Sequence, residues 1–149
     1  MVNVGDTIHE GGGTELYEAI AEAARLSIQE WTGLELTSTS VYGIRIYKEG
    51  SVLAPHVDRL PLISSAIINV DQDVDEPWPL EVIGHNGVAE NVTMLPGDLV
   101  LYESHSVIHG MIRITSYTQN VINQDDSTLI CLHIFYRRPS LSFKRKFFC

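Results

Sequence analysis

Six histidines stand in the 149-residue chain, and one of them opens the triplet His56-Val57-Asp58. In extended backbone, residues i and i+2 project to the same face, so an imidazole and a carboxylate at this spacing can converge on one metal ion. Alone, the triplet is short enough to arise by chance. A third ligand from another strand raises its weight, and two histidines qualify, in Glu103-Ser104-His105-Ser106-Val107-Ile108-His109-Gly110. Four positions apart on one extended segment, they would stand roughly 13 Å from each other, so only one can share the ion. His109 is the better choice. It follows the apolar Val107-Ile108, which would seat it on a buried strand, and it precedes Gly110, where backbone or ligand can approach closely. Two neutral imidazoles and one carboxylate leave a divalent ion with open coordination positions, the facial arrangement of non-haem Fe(II) oxygenases. A closed structural zinc site needs four ligands, usually including cysteine, and neither Cys131 nor Cys149 has suitable spacing.

The elements that must position these residues can be read from the hydrophobic pattern. After Gly11-Gly12-Gly13, Thr14 can cap a helix over residues 15 to 31, with Glu15 and Glu18 in the first turn and Leu16, Ile20, Ala23, Ala24, Ser27 and Trp31 recurring at helical spacing; Gly33 is a plausible stop. Short β-like runs follow. Val41 to Tyr47 alternates, with Tyr42, Ile44 and Ile46 on one face and Val41, Arg45 and Tyr47 on the other around Gly43. Leu62 to Val70 is apolar and leads into an acidic loop over residues 71 to 76. Leu80 to Ile83 and Val88 to Val92 flank Asn86-Gly87, a strong hairpin signal. Pro96-Gly97-Asp98 reads as a turn before Leu99 to Tyr102, and Val107 to Ile114 and Thr128 to Tyr136 complete the set. About seven short strands after one helix suggest a β-sandwich or jelly roll.

Composition bounds the rest. The length fits one domain, and 44% hydrophobic residues with 19% charged residues describe a globular chain. Residues 1–136 hold five of the ten bases and all 19 acids, for a net charge of -14, whereas residues 137–149 carry +5. An acidic body argues against a nucleic-acid partner, whose phosphates need clustered Lys and Arg. No stretch reaches the roughly 18 apolar residues of a membrane span, and the N-terminus lacks the basic and apolar regions of a signal peptide. A soluble protein, cytoplasmic by default, is the expectation.

The segment from Tyr42 to Arg59, with Tyr47 nine residues before His56 and Pro55 just ahead of His56-Val57-Asp58, resembles the metal-binding core of the prolyl 4-hydroxylase type of 2-oxoglutarate and Fe(II)-dependent dioxygenases. Pro96-Gly97-Asp98-Leu99-Val100-Leu101-Tyr102 resembles the strand that precedes the distal histidine of that family, carried over here onto His109. The resemblance covers residues 15 to 110. It implies a mainly β double-stranded β-helix (jelly roll) with one N-terminal amphipathic helix, in a domain over residues 14–136 between a leader (1–13) and a basic tail (137–149). It also implies Fe(2+) held by His56, Asp58 and His109, with 2-oxoglutarate as small-molecule cosubstrate within reach of the Tyr47 hydroxyl. Ascorbate would keep the iron reduced, and a peptide or small-molecule C–H bond would be hydroxylated. Packing in the core is an equally ordinary use for Tyr47.

The resemblance breaks after Gly110. Family members carry a Lys or Arg roughly ten residues beyond the distal histidine, because a buried dicarboxylate without a cation costs several kcal/mol. That position is Asn120, and the stretch from Tyr117 to Ser127 has no basic residue. Arg113 is the nearest cation and stands as the candidate cosubstrate anchor. Two accounts of this divergent C-terminal part are open. Either residues 111 to 127 are an insertion before a displaced last barrel strand, Thr128 to Tyr136, or the chain after Gly110 is not family sequence and the barrel is incomplete. The charge change and the ending Phe147-Phe148-Cys149 favour the second account. A metal-binding jelly roll that lacks the 2-oxoglutarate anchor is therefore the alternative to an active dioxygenase; a cupin-like metal protein fits the Tyr47 to Asp58 spacing less well.

Overall fold

The computed structural model describes residues 7–8, 13–48, 50–112 and 127–139. Helix α1 spans Gly13–Thr32, starting ahead of the expected cap at Thr14, and ends where Gly33 takes φ +65° and its N–H closes on Gln29 O at 2.8 Å. Only glycine adopts this left-handed turn without a Cβ penalty. The buried face is Ala21, Ala24 and Ile28 with Ile20 packed beside them, so Ala24 and Ile20 of the expected line lie on it, whereas Leu16 and Trp31 are 54% and 49% exposed. Close packing explains the correction. Two alanines let the helix lie low on a sheet, and tyrosine hydroxyls fasten it there. Tyr17 Oη donates to Val41 O at 2.6 Å and accepts from Val41 N, and Tyr136 Oη donates to Ala21 O.

Among the described residues the strands follow in chain order: β1 (Thr7–Ile8) before the helix, then β2 (Thr37–Lys48), β3 (Val52–His56), β4 (Ser64–Asp73), β5 (Leu80–Ile83), β6 (Ala89–Val92), β7 (Leu99–Tyr102), β8 (Ile108–Ile112) and β9 (Thr128–Arg137). They form two antiparallel sheets, of order β1-β2-β9-β4-β7 and β3-β8-β5-β6. This is the double-stranded β-helix. One apolar core lies between α1 and the five-stranded sheet, built on Ile28, Val41, Ala66, Ile134 and Tyr136; a second lies between the sheets, built on Tyr47, Ile67, Trp78, Leu80, Met111, Leu129 and Cys131. Among the described residues no helix is long and apolar enough to cross a membrane.

β9 corrects the incomplete-barrel account. It lies between β2 and β4, paired with both along nearly its whole length. Leu129 and Cys131 face the other sheet while Leu132, Ile134 and Tyr136 face the helix. A strand covered on both faces needs apolar residues at consecutive positions, which is why the Thr128 to Tyr136 run lacks alternation. Its pairing also draws β4 on through Asp73, so residues 71 to 73, expected as a loop, are strand.

A second correction concerns β2. Its register against β9 slips between Tyr42 and Ile44, so Gly43 sits in a bulge. An extra residue reverses the facing of all that follow. Val41 and Ile44 therefore both pack toward the helix, while Tyr47 packs between the sheets. The Asn86-Gly87 hairpin forms as expected, with Gly87 at φ +74° inside a five-residue connection, and Gly97 at φ +93° makes the turn before β7.

The helix face can be tested by truncation. Ile28→Ala should cost about 2–5 kcal/mol of unfolding free energy in urea titrations, whereas Leu26→Ala, 56% exposed, should stay within about 0.5 kcal/mol.

Candidate metal centre

His56 closes β3 and His109 lies on β8, directly opposite each other in the register of the pair. Their ring centroids are 4.4 Å apart. Two features of the backbone allow this. β3 carries a bulge between Leu53 and His56, where Pro55 has no N–H to give to a ladder. Opposite it, β8 presents Gly110, and a Cβ there would meet Leu53 O at 2.7 Å and Pro55 N at 3.0 Å. The expected close approach at Gly110 is thus to the β3 backbone.

Asp58 lies beyond the end of β3, not on it. Its backbone is pinned on both sides: Asp58 N donates to Ser104 O at 2.7 Å, and Asp58 O accepts from His105 Nδ1 at 3.0 Å. Its carboxylate is divided. Oδ1 stands 3.6 Å from His56 Nε2, while Oδ2 accepts from Ser65 Oγ at 3.4 Å. Ser65 and Ser104, both fully buried, are joined at 2.7 Å. Ligand atoms of His56, Asp58 and His109 all lie within 4.8 Å of one another, the one such group among the described residues. His105 stays outside it, not through strand spacing but because it lies in the turn over residues 104–106 ahead of β8, with Nδ1 on Asp58 O.

The imidazoles are oriented for coordination. His56 Nδ1 is 2.9 Å from Ala54 O and His109 Nδ1 is 3.0 Å from Val107 O. A carbonyl only accepts, so each Nδ1 carries the proton and each Nε2 keeps a lone pair for a metal. Burial holds the His109 imidazole below its ordinary pKa, against the opposing bond to Val107, with the neighbouring His56 lowering it further. His109 is therefore neutral, as a ligand must be. Its ring packs on Tyr102 at 4.5 Å. The donor set of two imidazole nitrogens and one carboxylate oxygen fits Fe(II) and its divalent neighbours.

Between the sheets, Tyr47 is 1% exposed and packs in the core. Its ring meets Trp78 edge-on at 6.3 Å, and its hydroxyl lies 3.4 Å from His133 Nε2. Burial pushes the phenol up, so it stays protonated. His133, read from sequence as an ordinary strand residue, is 3% exposed, and burial lowers its pKa to about 3, helped by the positive charge of Arg45. Arg45 was placed by the alternation on the face of Tyr47, and it keeps that face through the bulge, with its Nε buried and its positive charge opposing the effect of burial on the Tyr47 phenol. Sequence reading gave neither residue a role; the available signal was the i, i+2 spacing of Arg45 and Tyr47 on one strand. Arg113, the candidate anchor, lies outside the described residues.

No family model and no curated protein matches the chain. Solved structures do, by fold. A Pseudomonas putida prolyl-4-hydroxylase aligns with TM-score 0.63 at 21% identity, over 89% of this chain and 72% of that one. A 2OG-Fe(II) oxygenase family oxidoreductase from Burkholderia pseudomallei aligns with TM-score 0.63 at 12% identity, over 93% and 63% of the two chains. A non-heme monooxygenase, ThoJ, in a nickel complex, aligns with TM-score 0.61 at 14% identity, over 86% and 55%. The chain thus spans less than two thirds of the last two. Identities this low establish a shared fold, and that fold is found in the same group of proteins that the motifs around His56 and Asp58 resemble.

Metal titration by calorimetry checks the centre. His109→Ala should abolish binding of Fe(II) or Co(II), whereas His105→Ala, which removes a bond to backbone alone, should weaken it less than about tenfold. Gly110→Ala should separate the two imidazoles, lowering metal affinity and costing about 1–3 kcal/mol of stability.

Proposed function

We propose that this chain is an Fe(II) and 2-oxoglutarate-dependent oxygenase domain that hydroxylates a peptidyl prolyl or similar C–H bond, with ascorbate keeping the iron reduced. The observation that carries the reading is the pair of cross-strand imidazoles, each with Nδ1 tied to a carbonyl and each with a ligand atom within 4.8 Å of an Asp58 carboxylate oxygen, on a double-stranded β-helix. An ion in such a site supplies the oxidation of a C–H bond by dioxygen, coupled to conversion of 2-oxoglutarate to succinate and carbon dioxide.

The residues divide the work. His56, Asp58 and His109 would hold the ion, which would supply the oxidising chemistry with the oxoacid and dioxygen. Ser65 holds Oδ2 of Asp58 and so fixes the carboxylate with Oδ1 toward His56. Ile67, Leu80 and Met111, none of them exposed, keep bulk water from the space between the sheets. Tyr47 offers a protonated hydroxyl to the cosubstrate at the inner end of that space.

Anaerobic addition of Fe(II) and then 2-oxoglutarate should produce the weak visible metal-to-ligand charge-transfer band, lost in His56→Ala and Asp58→Ala. With a proline-containing peptide and air, succinate should form with hydroxylated product. Intact iron binding with no band would sink the oxygenase reading and leave a metal-binding jelly roll.

A further inference from the structure

The inner face of the five-stranded sheet is a ladder that can be ordered by register. Nearest the metal ligands are Ser65, bonded to Asp58, and its partner Phe135. The next step along β9 is His133, opposite Ile67; the next is Cys131, which lies opposite Arg45 of β2 and Asn69 of β4; the last is Leu129, opposite Tyr47. Each step is two residues, or roughly 6.6 Å, about the reach of an extended five-carbon dicarboxylate. A molecule of that length whose 2-oxo acid end meets the metal therefore brings its far end level with His133, where the Tyr47 hydroxyl reaches to 3.4 Å from Nε2 and beyond which Arg45 stands one step further on the same face.

The groups at that far end suit an anion. Tyr47 Oη and His133 Nε2 are 3.4 Å apart, both side chains are buried, and the Nε of Arg45 is buried beside them. His133 is neutral there, so it neither competes with Arg45 nor repels it. Other described cations are turned elsewhere: Arg25 pairs with Glu22 on the helix, Lys48, Arg59 and Arg138 are exposed, and Arg137 closes β9 opposite Thr37 at the distant end of β2.

We propose that Arg45, reaching in from β2 beside Tyr47, pairs with the distal carboxylate of the 2-oxo dicarboxylate cosubstrate, the role for which the sequence offered Arg113. This assignment rests on the oxygenase reading above. It explains how a chain with no basic residue where the family carries one can still hold a dianion: the cation comes from the strand before the metal ligands instead of the strand after them. A guanidinium is suited to the task, since it binds a carboxylate through two parallel hydrogen bonds.

The test crosses a residue change with a ligand change, in anaerobic Fe(II)-loaded protein read by the charge-transfer band and by calorimetry. The ligands are 2-oxoglutarate and 2-oxobutyrate, which share the chelating end and differ in the distal carboxylate. Metal affinity of each variant is measured first. Arg45→Met should weaken 2-oxoglutarate on the order of 10- to 100-fold and leave 2-oxobutyrate and the metal unchanged, while Arg113→Met should change neither ligand. Arg45→Lys should recover part of the loss. If Arg45→Met fails to hold metal, Arg45→Lys decides alone, through a several-fold loss confined to 2-oxoglutarate. Equal binding of 2-oxoglutarate by wild type and Arg45→Met overturns the assignment, as does an equal loss of both ligands or a loss that follows Arg113→Met. A wild-type protein that binds iron but neither oxoacid fails the oxygenase reading itself, a result distinct from all of these.

Discussion

The metal centre depends on how closely β3 can lie against β8. Cross-strand residues in an antiparallel pair face each other whatever their identity, but two imidazoles come within 4.4 Å only if the strands also meet without side chains between them. Gly110 provides that freedom, because any Cβ at this position would strike the β3 backbone. The bulge at Pro55 then re-aims His56 and releases the chain from the sheet, so that Asp58 turns back over the same space. Removing either feature would leave His56, Asp58 and His109 in the sequence and no common point at which they could hold an ion.

β9 ties this local device to the rest of the molecule. As the central strand of its sheet it carries the helix on one face through Ile134 and Tyr136 and closes the inter-sheet space on the other through Leu129, Cys131 and His133. The helix layer is thus more than a cover. By holding β2, β9 and β4 together it fixes Ser65, which orients Asp58, and Arg45 and Tyr47 at the opposite end of the same inner face. A segment that read as divergent by its charge is structurally the most integrated of the strands.

Much of the site was legible because it is written in local spacing. His56 and Asp58 are two apart and His109 follows an apolar pair, which suffices to pick the three residues, although Asp58 lies beyond β3 and His105 lies in a turn, so that loops and not strand geometry decide where these two stand. The helix face and the facing of β2 were read less well, for a physical reason in each case. Periodicity marks apolar residues at Leu16 and Trp31 as readily as at Ile28, and only the sheet decides that two alanines give the closer fit. A bulge at Gly43 is set by pairing with β9, some ninety residues away, and no local pattern announces it. His133 was invisible as a site residue for the same reason: one histidine in an apolar run has meaning only once Tyr47 is brought against it.

The inside of this barrel is not what stability alone would select. Ser65, Ser104, Asn69, His109 and His133 are each no more than 3% exposed, and Tyr47 and the Nε of Arg45 are buried with them. Replacing buried polar and charged groups by apolar residues of similar volume is often neutral or stabilising, because desolvation offsets much of what their interactions return. A barrel built only to hold its shape would fill this space as it fills the helix layer, with Ile, Leu and Ala. The polar groups are also not scattered. They run from the carboxylate and imidazoles of the metal centre, through His133, to a phenol and a guanidinium, so that the retained polarity follows one line with a metal site at one end and a cation at the other. Breaks of this kind in an otherwise consistent fold are where function is concentrated. The direction of this one matches a ligand that carries a chelating group at its first carbons and a negative charge at its last.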